Sequence, residues 1–223
     1  SPNAGMPKLA TGMVGPYGAI RRQFNPPIGA FEGVREPLAR MAGHTYATDA
    51  VRRLSARAVD LGAKPAVTSA IAKYHVTERA RVVVNDGMDV IGGKGVCMGP
   101  GNFLARAYQQ IPVAITVEGA NIMTRTLIIY GQGAIRCHPY VLPLMRAAEV
   151  GELKAFDQAL FGYLAFLLRN LSRAMLFSLT GRLFIPAPSG SSPRLSRYYR
   201  QVVRLSTILA LASDVSMGAV GGG

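Results

Sequence analysis

Apolar residues recur at spacings of three and four along most of the chain, and glycine and proline clusters interrupt the recurrence where one element ends and the next begins. The breaks fall at Pro26-Pro27, residues 62–65, 92–95 and 99–101, Pro112, His138-Pro139 and the PAPSGSSP stretch at 186–193. Between them the spacing predicts a helix over 36–61, with Pro37 suited to a first helical turn, and a second over 66–91, stopped by Gly92. Further helices are expected over 119–135 and over 8–24, the latter in spite of Gly12, Gly15 and Pro16. After Pro139 the stretch 156–177 is densely apolar. The stretch 194–215 sets Tyr198, Val202, Leu205, Leu209 and Ala212 on one stripe and Arg197, Arg200 and Arg204 on another face. Period-two alternation is scarce. The expectation is therefore an all-α protein: a bundle of long antiparallel helices in residues 1–138, then a helical extension in 139–223. The longest apolar run, 159–168, is broken by Gly162 and too short to span a bilayer, so the chain reads as soluble or peripheral.

Composition sharpens this picture. With 49% apolar residues and a mean hydropathy of +0.22, the 223-residue chain has enough apolar matter for one or two cores, which excludes a disordered tail. Its 25 Lys and Arg against 12 Asp and Glu give a net charge of +13, which attracts polyanions whatever the fold. Cys97 and Cys137 form neither a disulfide framework nor a zinc cluster, which suits a reducing compartment. The opening SPNAGMPKLATG shows no signal or transit peptide. The close, MGAVGGG, directly follows an apolar helix-like stretch, and we expect a piece of something larger.

Residues 158–213 hold seven arginines and no carboxylate. They form either a basic face that packs on an acidic segment or meets solvent, or a helix pair for an anionic membrane surface. Nucleic acid is the weaker reading, because the aromatics are not interleaved with the cations and no helix-turn-helix or RNA-binding signature is present.

Metal chemistry is not expected: His44, His75 and His138 are scattered, and the His75/Glu78 pair has no counterpart. The stretch GMDVIGGKGV fails as a phosphate loop, since Met88 and Gly95 stand where Gly and Ser or Thr are required. The informative feature is Glu118, the one acid between Val90 and Ala148. Its apolar flanks Ile115 and Val117 would raise its proton affinity toward that of a general base, whereas a helix beginning beside it would favour the anion. Both a helix-start residue and a catalyst fit that setting.

Four motifs in order, RRQF at 21–24, a long helix pair, DVIGGKG at 89–95 and NFLARAYQQIPVAITVEGANIMTR at 102–125, make the chain resemble the C-terminal helical domain of the flavin-dependent acyl-coenzyme A dehydrogenases. IRCHPYV and LASDVSM further on resemble the large bacterial type that serves fatty-acid β-oxidation. The resemblance implies that Glu118 removes the α-proton of a fatty acyl-CoA while FAD accepts the β-hydride, leaving a trans-2-enoyl product. It implies FAD contacts at Arg21, Phe24, Gly92 and Gly93, with Arg21 suited to the pyrophosphate. It also implies an electron-transfer flavoprotein as oxidant, a homodimer or higher homo-oligomer, and a place in the cytoplasm of a bacterium or at the face of its inner membrane. Ala120 and Ile122 stand where many members have Thr and Gln, and Asn121 is the expected substitute at the cofactor. Val117 and Asp89 also depart from the pattern, which has an aromatic residue and a Gln there.

Overall fold

The computed structural model describes residues 2–102, 104–181 and 183–220. No strand occurs among the described residues, only an isolated antiparallel bridge between Arg22 and Pro27. The chain divides into two compact units, Ser1–Gln132 and Gly133–Gly223.

In the first unit α1 (Pro2–Ile20) runs through Pro7 and Pro16 because tertiary packing outweighs local propensity. Ala4, Ala10 and Val14 recur on one buried face, and Thr45 donates from its hydroxyl to the Pro7 carbonyl at 3.2 Å. The helix ends four residues before the expected Phe24. Phe24 and Asn25 take φ of 51° and 76°, outside the helical region, and Pro26-Pro27 bars any continuation. The chain doubles back over a 3-10 turn at Ile28–Ala30. Then α2 (Glu32–Asp60) begins four residues earlier than expected, which moves Pro37 out of the first turn.

The bounds of α3 (Ala66–Ile91) are those expected, with Gly92 at φ 69° ending it. The short α4 (Gly93–Val96) follows. The spacing did not anticipate α5 (Leu104–Thr116), since Pro112 reads as a break and instead lies inside the helix. Asn102 caps it, accepting from the N–H of Leu104 and Ala105 at 2.9 and 3.1 Å. The expected helix at 119–135 becomes α6 (Asn121–Met123), a π-helical stretch Thr124–Gln132 and α7 (Gly133–Cys137).

The core of this unit joins Val14 of α1, Met41 of α2, Val83 and Val84 of α3 and Leu104 of α5, each wholly removed from solvent. Gly87 makes their meeting possible: a Cβ there would lie 3.3 Å from both Leu104 and Val14 and 3.4 Å from Met41. Between α2 and α3, Arg40 grips Asp86 with two hydrogen bonds of 2.9 and 2.7 Å. Between α1 and α2, Lys8 reaches Asp49 at 2.8 Å. Hydrogen bonds from Lys8 and then Arg52 hold the Asp49 carboxyl well below the usual carboxylate range.

In the second unit α8 (Val141–Val150) and α10 (Pro193–Val220) each pack on α9 (Leu153–Leu179). Gly162 of α9 leaves room for the Tyr140 ring, which lies 5.9 Å from that of Phe166. The Nδ1 of His138 accepts from the N–H of Tyr140 and Val141, so Nε2 carries the proton of the neutral ring and lies 3.1 Å from Asp214. The reading that no segment here is long enough to span a bilayer is corrected. Helices α9 and α10 are long and apolar enough to cross a membrane by length and composition. An unbroken run ends at Gly162 or Arg169, whereas a helix averages across them.

Gly87→Val should cost at least about 1–3 kcal/mol by overpacking, read as a lowered urea midpoint, while the same change at the open Gly43 should cost about 1 kcal/mol or less. Equal midpoints for the two variants would show that α3 does not need the glycine for packing.

Candidate functional site

Two of the cavities in the first unit lie toward opposite ends of α3. The first, about 540 Å³, opens among α2, α3 and α5. Val51 and Val59 of α2, Val76 of α3 and Val113 of α5 give it an apolar wall, and Glu118 and Lys73 are charged groups on its border. This setting suits a long apolar ligand whose reactive end stops at the carboxylate.

Glu118 is exposed and sits on the turn between α5 and α6, with φ of 55°, followed by Gly119 at 89°. It is therefore not a helix-start residue, because α6 begins three residues later with Ala120 as its cap position. A non-glycine residue in the left-handed region persists only where its surroundings determine it. Here Lys73 donates to the carbonyls of Ile115 and Gly119, at 3.1 and 2.6 Å. Thr124 also donates to the Gly119 carbonyl, at 3.2 Å.

Asn121, expected at the cofactor, lies beneath this turn, where its amide meets protein groups. It is 3% exposed, its Oδ1 accepts from Lys73 at 2.7 Å, and its Nδ2 donates to Thr77 at 2.9 Å and Glu78 at 2.8 Å. Both amide protons are thereby committed, and Oδ1 keeps one lone pair. Burial lowers the proton affinity of Lys73, and the charges of Glu118 and then Glu78 oppose that shift. His75, two residues along α3, is held below its ordinary value by partial desolvation and then by Arg79.

The second cavity, about 570 Å³, gathers Arg21 and Phe24 from the turn after α1 with Gly92, which ends α3, and Gly93 and Lys94 of α4. Four of the expected cofactor residues thus share one recess. Phe24 is 86% exposed in a left-handed conformation, so the fold pays for an aromatic ring that buries almost nothing. A Cβ on Gly92 or Gly93 would meet only open space, so a ligand's backbone-close approach there is unobstructed. Arg21 and Lys94 outweigh Asp89 in charge, and this inventory fits a diphosphate-bearing cofactor with an aromatic plane. Lys73 and Thr77 were not singled out by spacing, and Glu78 was weighed only as the partner of His75. Their i, i+4, i+5 pattern on α3 is the only trace in the sequence, and it does not reveal what they touch.

The family model described as Acyl-CoA dehydrogenase, C-terminal domain, matches residues 9–132, and that described as Acyl-CoA dehydrogenase, C-terminal, bacterial type, matches 135–223. Over 112 residues the chain is 30% identical to the 3-(aryl)acrylate reductase of Clostridium sporogenes, covering 50% of this chain and 29% of that protein. Over 109 residues it is 31% identical to the mitochondrial very long-chain specific acyl-CoA dehydrogenase of Mus musculus, covering 48% of this chain and 16% of that one. An acyl-CoA dehydrogenase structure from Geobacillus kaustophilus matches with a TM-score of 0.55 and 25% identity, covering 58% of this chain and 33% of that chain. The chain thus spans less than a third of the length of these curated relatives.

Phe24→Gly should raise the urea midpoint of the chain by about 1 kcal/mol equivalent, since it removes the left-handed strain and gives up little burial. A lowered midpoint would show that the ring is already packed in this chain.

Proposed function

Because the chain belongs to the acyl-CoA dehydrogenase family, we propose that it supplies the base and part of the cofactor wall of an FAD-dependent enzyme that oxidises a fatty acyl-CoA to its trans-2-enoyl-CoA. The observation that carries this reading is the placement of Glu118 at the border of an apolar cavity built by α2, α3 and α5. On this reading the acyl chain lies along the apolar wall that includes Val59 and Val113, with its thioester end toward the Glu118 turn. There the Glu118 carboxylate takes a proton from the carbon next to the thioester carbonyl. FAD, when bound, supplies the acceptor for the hydride that leaves the neighbouring carbon. Arg21 and Lys94 would hold its diphosphate, Gly92 and Gly93 would let that group approach the backbone, and the exposed Phe24 ring would offer an apolar face to its aromatic part.

Lys73 and Gly92 lie about 28 Å apart along α3 at the helical rise of about 1.5 Å per residue. That separation supports a homodimer in which one copy's second cavity serves the cofactor of the other. An electron-transfer flavoprotein then reoxidises the enzyme. The mouse relative's name, very long-chain specific, supports a long substrate chain.

In the second unit α9 exposes Phe161, Leu164 and Leu168, and α10 exposes Tyr198, Val202 and Leu209. Arginines accompany both stripes without any carboxylate over 158–213. These observations support a peripheral contact with an anionic bilayer, at the inner face of a bacterial membrane.

Two measurements test these readings. Glu118→Gln in the complete dehydrogenase should lower kcat by at least about 100-fold while the flavin absorbance of the purified protein is unchanged; turnover near the native rate rejects Glu118 as the base. Cosedimentation with phosphatidylglycerol vesicles should fall about tenfold when the exposed Arg194 and Arg197 become glutamine, and a chain that never sediments with them has no such surface.

A further inference from the structure

Three acceptors bracket the residue read as the base, and one ammonium takes them all. The Ile115 carbonyl belongs to the last turn of α5, the Gly119 carbonyl follows Glu118 directly, and Asn121 opens α6. Lys73 donates to each, at 3.1, 2.6 and 2.7 Å, which uses every proton the ammonium has. We infer that Lys73 is the positioning residue of the reaction, tying the two limbs of the Glu118 turn to α3 and so fixing where the carboxylate meets the substrate. The inference rests on the reading of Glu118 as the base.

The geometry requires such a tie. Glu118 at φ 55° and Gly119 at φ 89° form a turn that is strained at the non-glycine position, and an untied turn would relax. The tie also returns to its own helix, since Asn121 passes the contact on to Thr77 and Glu78, four and five residues along from Lys73. The turn is therefore referenced to α3, whose side chains also wall the cavity. A misplacement of about 1 Å at a reacting group can cost about 100-fold in rate, so the tie is worth far more to turnover than to folding.

The ammonium holds three carbonyl-type oxygens only while it is charged. Its charge is opposed by burial and favoured by Glu118 from the turn and Glu78 from α3, with Arg52 of α2 the other cation on the same cavity. At alkaline pH the amine keeps two donors and turns a lone pair toward an acceptor. An arginine at this position would stay charged throughout.

In the complete, flavin-loaded dehydrogenase, Lys73→Met should lower kcat by about 100-fold with KM within about threefold of native. Lys73→Arg should restore most of kcat and carry the alkaline limb of the pH profile to higher pH. In the chain itself, the Glu118 amide-to-Hα coupling constant should report φ near 55° in the native protein and in Lys73→Arg, and a changed value in Lys73→Met. A Lys73→Met enzyme with native kcat overturns the inference, as does a loss confined to KM, or an arginine variant whose alkaline limb coincides with the native one. If Lys73→Met does not fold, the alkaline limb of Lys73→Arg decides alone. Native turnover in Glu118→Gln would remove the catalytic reading but leave the coupling-constant result standing, so the two failures are distinguishable.

Discussion

The first unit is organised by how closely α1, α2 and α5 approach α3. The missing side chain at Gly87 lets Val14, Met41 and Leu104 converge on one point. A glycine inside a helix costs about 1 kcal/mol against alanine, whereas each fully buried Val, Leu or Met side chain contributes about 1.5–3 kcal/mol. Convergence therefore wins, and α3 becomes a rail against which the other elements are placed. Its N-terminal half faces the cavity and turn of Glu118, and its C-terminal end faces the recess of Arg21 and Phe24.

On that rail the polar groups are arranged so that few are left without partners. Burying an ammonium among carbonyl oxygens is unfavourable unless each proton finds an acceptor, and Lys73 finds three. Asn121 is in the same position, with both sides of its amide engaged. The turn between α5 and α6 is thereby held by bonds rather than by apolar packing, and this lets Glu118 remain exposed at the cavity border.

Much of this was legible in the chain. The bounds of α3 follow from its apolar spacing and from Gly92, and the long α2, α9 and α10 from theirs. The α5 helix was hidden because Pro112 reads as a stop, while the Asn102 cap that starts it is recognisable only once the chain has turned. The family motifs brought Arg21, Phe24, Gly92 and Gly93 forward, and these share a recess. The partners of Asn121 could not be read from spacing: one residue past Ala120 the chain enters the helix, and the side chain turns beneath the turn toward α3. Lys73 was invisible because its importance is a matter of three acceptors 42 to 48 residues away in sequence.

The two non-glycine residues at left-handed φ beside the cavities, Phe24 and Glu118, share one property: neither conformation is one that its own side chain prefers. Selection for folding alone would replace both with glycine or asparagine and would keep Gly87. A duplicated copy of this chain released from its chemistry should therefore drift first at 24 and 118 and last at 87, which gives a way to separate working descendants from merely folded ones by inspection of three positions.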